Sequence, residues 1–173
     1  MNLQRIFPAL LLAVAALPAQ AQVLTSGRAL PLTLAQAAAQ AAIAACEADG
    51  YRVSASVVDA AGVERAFLRG DHSTVHTRET AFRKAYTAVT LGPIFGTTTT
   101  GALADKVGKT PTGPALASVG NVILLAGGVA IRHGDETLAA LGIGGAPGGA
   151  LDERCAQAGV AAIQTRVDAL TAP

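Results

Sequence analysis

The chain has 173 residues, with 13 Lys and Arg against 12 Asp and Glu, and only 3% of it is aromatic. A balance this close to neutral carries no electrostatic footprint for nucleic acid or for an anionic membrane surface. With no Trp and an apolar share of 51%, rich in Ala, Val, Leu and Ile, the core has to form by close approach of backbones rather than around large rings.

Residues 1–21 carry one early cation, Arg5, then an apolar run from Phe7 to Leu17 and the small-x-small triplet Ala19-Gln20-Ala21. That is the pattern of a secretory signal peptide, and the run is short for a bilayer span. The expected mature chain begins at Gln22, holds 12 basic and 12 acidic residues, and belongs in the periplasm or outside the cell. No later apolar stretch is long enough to span a bilayer, so no membrane partner is expected after cleavage.

Residues 22–31 read as an extended N-terminal arm and residues 32–173 as a single domain. A first helix is predicted from about Leu32 to Asp49. Thr33 is its expected N-cap, with Gln36 completing a capping box, and Gly50 is its stop. Tyr51 to Asp59 alternates and is β-branched, which predicts a strand. Ala60-Ala61-Gly62 turns the chain, with Asp59 bonding its own backbone, and Val63 to Arg69 returns as a second strand. A polar turn, Gly70-Asp71-His72-Ser73, leads into a second long helix ending near Leu91. Val75, Phe82, Ala85 and Val89 are its expected inner face.

Gly92 to Gly120 is long for a connection and holds a short helix over 102–107. Three further strands are predicted at 121–126, 129–132 and 136–143. Gly144 to Gly149 turns into a last helix, residues 151–167, with Asp152 and Glu153 near its positive end. The order is α-β-β-α-loop-β-β-β-α, an α+β domain with a five-stranded antiparallel sheet flanked by helices.

Two cysteines, Cys46 and Cys155, lie on the first and last helices. An even count in an exported chain points to a disulfide. Closing a loop of that length restricts the unfolded chain by roughly 4–5 kcal/mol in the entropy model. Two buried thiols are the alternative.

The polar chemistry concentrates between Arg69 and Leu91. His76 is a candidate metal ligand, with a histidine capping its own helix or lying in solvent as the plainer alternative. His72, His76 and Glu79 would share a face on a continuous helix, but His72 is expected in the turn, and Glu79 has Arg83 four residues on as an ion-pair partner. Arg69, Asp71, Arg78, Lys84 and Tyr86 are candidates for binding carboxylates. Arg69 and Lys84 flank the turn-helix junction, and Arg78 reads as surface charge. His133 reads as an exposed turn residue. The GGAPGG stretch lacks the Lys-Ser/Thr ending of a phosphate loop, so its glycines read as turn residues.

Several blocks together resemble the GlcG/HbpS-like haem-binding (haem-degrading) family. They are Val57, Asp59 and Gly62; Arg69-Gly70-Asp71; His76-Thr77; Arg83 to Ala88; Gly127-Gly128; and Gly145 to Gly159. The resemblance spans nearly all of the mature chain. It implies a compact domain with a five-stranded antiparallel sheet, assembly into a homo-oligomer, and haem as the cofactor. His76 would ligate the iron, and Arg69, Asp71, Lys84 and Tyr86 would line the ligand site. Relatives linked to glycolate use keep a second reading open, a binding or accessory enzyme protein for a small carboxylate. A third is a non-catalytic structural oligomer. No nucleophilic triad is legible, so no catalytic residue is assigned.

Overall fold

The computed structural model describes residues 28–171. The expected leader and most of the expected arm lie outside the described residues. Where the chain enters, Leu30 is buried in the core and Arg28 meets Glu136 at 3.1 Å.

Helix α1 spans Leu32–Ala48, followed by strands β1 (Ser54–Asp59) and β2 (Glu64–Arg69) and helix α2 (Thr77–Thr90). Three short helices come next: α3 (Gly92–Phe95), α4 (Thr100–Val107) and α5 (Gly113–Ala117). Strands β3 (Gly128–His133) and β4 (Glu136–Gly144) then lead to helices α6 (Gly149–Ala161) and α7 (Gln164–Asp168). The four strands form one antiparallel sheet in the order β2-β1-β4-β3. α1 and α6 cover one face and α2 the other, so the class is α+β.

The expected count of five strands is corrected to four. Residues 121–126, read as a strand for their apolar run, pair with no strand. Their backbone is used by α2 instead: Arg83 Nη2 donates to Val122 O at 2.7 Å, and Ile123 N–H donates to Thr87 Oγ1 at 2.9 Å. The free edge of β3 is met by residues 98–99. Ala130 N–H donates to Thr98 O at 2.8 Å, and Thr99 bridges Val129. The first helix also departs from expectation: it opens at Leu32 beside Pro31, with no side-chain cap, so Thr33 lies inside it. The last helix is broken at residues 162–163 into α6 and α7.

The alternation of β1 separates two interiors. Ala55 and Val57 pack with Ala38, Ala42, Leu141, Ile143 and Ala156 in the larger core, under α1 and α6. Val58 packs with Ala85, Ala88, Val89 and Ala140 beneath α2. Cys46 and Cys155 are joined across α1 and α6 with Cα atoms 5.4 Å apart, so the expected disulfide is present. It locks the two helices that roof the larger core.

α2 lies unusually near the sheet, and glycines on the strands make this possible. A Cβ on Gly142 of β4 would collide with Ala81 O and Ala85 N, and one on Gly128 of β3 with Lys84 O. The helix backbone therefore rests almost directly on β3 and β4, with Thr77, Ala81, Ala85 and Ala88 as its buried face. Val75, expected on that face, is 81% exposed.

Candidate functional site

Because α2 centres on β1, β4 and β3, the outer strand β2 keeps part of its face uncovered. Between that face and the open flank of α2 lies a hollow of about 720 Å³. Its walls are Gly62, Val63 and Glu64 from the β1–β2 hairpin and Val75, His76, Arg78, Glu79 and Phe82 from the start of α2. The volume falls inside the range of about 300–1,000 Å³ usual for small-molecule sites. The apolar part is Val63, Val75 and Phe82; the polar part is one imidazole, one guanidinium and two carboxylates.

The loop before α2 is pinned by a chain of hydroxyls. Ser54 Oγ on β1 lies 3.1 Å from Ser73 Oγ and 2.8 Å from Thr77 Oγ1. Thr77 donates onward to Thr74 O, so Ser54 donates to Thr77 and accepts from Ser73. Ser54, Ser73 and Thr77 are all buried. His72, in the same loop, sits in the left-handed region at φ 63°. Such a residue persists where surrounding bonds hold it. The outcome is a fixed position for His76 at the mouth of α2, with its residue exposed to the hollow.

The other expected ligand residues are distributed differently. Arg69 donates from Nε (3.1 Å) and Nη2 to Ser73 O, so its guanidinium braces the loop. Asp71 is exposed in that loop and does not line the hollow. Tyr86 is half-buried with its ring 5.9 Å from that of Phe82, one layer behind the hollow. Lys84 turns inward: its Nζ lies 2.6 Å from Asp152 Oδ2, and the two side chains are 3% and 4% exposed. Of the five residues assigned to ligand binding, His76 alone is in the wall of the hollow.

Burial pushes the Asp152 carboxyl up from the ordinary aspartate range. The charge and hydrogen bond of Lys84 oppose this, as do the N–H groups of Ala146 and Gly145. Next to the pair, Glu153 Oε2 accepts from Gly101 N–H at 2.8 Å and Gly127 N–H at 3.1 Å. The acidic start of α6 therefore stitches loops together. Among the described residues no three His, Cys, Asp or Glu side chains cluster as a metal site, and no helix is long and apolar enough to cross a membrane.

Sequence reasoning weighed Arg78 as a carboxylate-binding candidate but set it aside as surface charge, and did not name Glu64, Val63 or Phe82 as wall residues. The spacing of Val75, Arg78, Glu79 and Phe82, at i, i+3, i+4 and i+7, marks one helical face. Val75 and Phe82 were assigned to the interior, and Arg78 and Glu79 to the solvated surface, so the shared face went unread.

The domain is a four-stranded α+β layer with an open, half-apolar hollow at a helix mouth, of the size usual for small-molecule sites. Residues 30–161 match the family model "Haem degrading protein HbpS-like", and the chain belongs to that family. A double mutant of HbpS from Streptomyces reticuli is 38% identical, with a TM-score of 0.72, over 86% of this chain and 97% of that one. The crystal structure of a PduOC:heme complex is 30% identical, with a TM-score of 0.69, over 79% of this chain and 96% of that one. The Klebsiella pneumoniae protein ORFY, at 22% identity and a TM-score of 0.69 over 82% of this chain and 92% of that one, shares the fold. No curated protein matched the chain.

Proposed function

We propose that this is an exported haem-binding protein and that the hollow between β2 and α2 receives the porphyrin. The observation carrying this is the placement of His76 in one wall with the apolar Val63, Val75 and Phe82. A neutral imidazole is an ordinary axial ligand of haem iron, and a porphyrin needs apolar surface beside it. Membership of the haem-degrading family and the haem complex of a 30% identical relative support the same reading. His76 would hold the iron, Phe82 and Val75 would pack on the ring, and the bound group would supply redox chemistry at its metal.

Export is supported by the leader pattern of residues 1–21 and by the Cys46–Cys155 bridge, since disulfides persist in oxidising compartments.

The test is titration of the purified chain with haemin, read at the Soret band. Wild type is expected to give a shifted, saturable band, and His76→Ala a band at a different position with weaker binding. Identical spectra and affinities would remove His76 from the role. Adding ascorbate and oxygen to the loaded protein separates the two fates: a persistent band means sequestration, and progressive bleaching means degradation.

A further inference from the structure

The side chains around the hollow differ in how far their charges are already used. Arg69 is committed to Ser73 O and Lys84 to Asp152. Arg83 is committed to Val122 O at 2.7 Å. Among the described residues Arg78 is the one lysine or arginine in the wall. Its side chain is 68% exposed, and its Nη2 stands 3.5 Å from Glu64 Oε2. That is well beyond the ~2.7–2.9 Å of a tight charge-assisted bond.

Two contacts keep Arg78 beside the hollow without consuming it. Its Cζ lies 5.3 Å from the centroid of Phe67, on the uncovered face of β2, so the guanidinium rests on the ring by a cation–π contact. Glu64 is tethered from its other oxygen, because Ser56 Oγ donates to Oε1 at 2.8 Å. Glu64 is therefore held where it attracts Arg78 loosely. An arriving carboxylate can take the guanidinium's free edge as a two-point partner.

We propose that Arg78 is the carboxylate-recognising residue of this hollow, and that the tethered Glu64 competes with the ligand for it. The inference rests on the hollow being the ligand site. It deepens that reading by naming the ligand group Arg78 takes: a carboxylate, carried by a porphyrin as a propionate or by a small acid. Glu64 sets the threshold, since a weak or singly charged ligand must displace it while a better-placed one gains the whole guanidinium.

The experiment titrates wild type, Arg78→Gln and Glu64→Gln with haemin, with haemin dimethyl ester, and with glycolate followed by thermal shift. Arg78 is exposed and Glu64 half-buried, and glutamine at 64 keeps an acceptor for Ser56. Arg78→Gln is expected to weaken haemin about threefold to tenfold and leave the ester unchanged. Glu64→Gln is expected to tighten haemin by a similar factor. Equal effects on haemin and ester, or no effect of either substitution, would overturn the role of Arg78 while leaving the haem reading intact. Stabilisation by glycolate that depends on Arg78, with no haemin binding, would overturn the haem reading and uphold Arg78. Binding of none of the three ligands would overturn both.

Discussion

Replacing Lys84 with Met removes the positive member of a pair whose side chains are 3% and 4% exposed. Asp152 then keeps its carboxylate in a site where burial already pushes its pKa up, and loses the ammonium 2.6 Å away that opposed that push. Stripping one partner from a buried pair costs about 3–5 kcal/mol. Replacing both, as in Lys84→Met with Asp152→Leu, removes the desolvation cost together with the attraction. It is expected to cost far less than either single change, because pairs of this kind often only break even against apolar packing. The remaining loss is the carboxylate's backbone partners, Ala146 N–H at 3.0 Å from Oδ1 and Gly145 N–H, worth about 1 kcal/mol each.

The sign of the pH dependence follows from the direction of the shift. A carboxyl whose folded pKa lies above 3.8 binds its proton more tightly folded than unfolded. Its contribution is therefore fully present below 3.8 and is lost as pH rises through the folded value. In Lys84→Met the upward push is unopposed by the ammonium, so the deficit is expected to be largest at pH 7 and to shrink toward pH 4. Urea denaturation midpoints of wild type, both single variants and the double variant, at those two pH values, check this. Single variants within 1 kcal/mol of wild type at pH 7, or a double variant as unstable as the singles, would refute the reasoning.

Reducing the Cys46–Cys155 bridge, which spans 109 residues, is expected to cost about 5 kcal/mol from released loop entropy. Guanidinium unfolding of wild type against Cys46→Ser/Cys155→Ser measures it, and a loss below 1 kcal/mol would contradict the estimate. Gly142→Ala is expected to destabilise by about 1–3 kcal/mol or more. Its methyl would meet Ala81 O and Ala85 N of α2, backbone atoms that no rotamer change can move aside; a thermal melt unchanged from wild type would show that α2 can lift.

The hairpin β1–β2 was legible because its signal is local: alternation, then a turn in which Asp59 Oδ1 accepts from Ala61 and Val63 N–H, each at 3.0 Å. The disulfide was legible from the leader pattern and the even cysteine count. Residues 121–126 were not, because an apolar run states only that a segment is half-covered, not what covers it. What covers it is a matter of two polar side chains, Arg83 and Thr87, reaching from α2 to Val122 and Ile123. Lys84 was misleading for a related reason. Its partner Asp152 is 68 residues away, and nothing near either residue in the chain signals the pairing.

Of the four residues expected on the inner face of α2, Ala85 and Val89 are buried and Val75 and Phe82 are not, because the helix meets β3 and β4 through its smallest side chains. Gly128 and Gly142 leave a surface that only backbone and small groups can approach, so Ala81, Ala85 and Ala88 go inward. The larger Val75 and Phe82 are displaced to the flank, where they become walls of the hollow. One cause thus sets both the tight helix–sheet contact and the apolar character of the candidate site. Enlarging the sheet at Gly142 should lift α2 and alter the hollow together. A variant that is destabilised there but retains wild-type haemin affinity would separate the two and break this account.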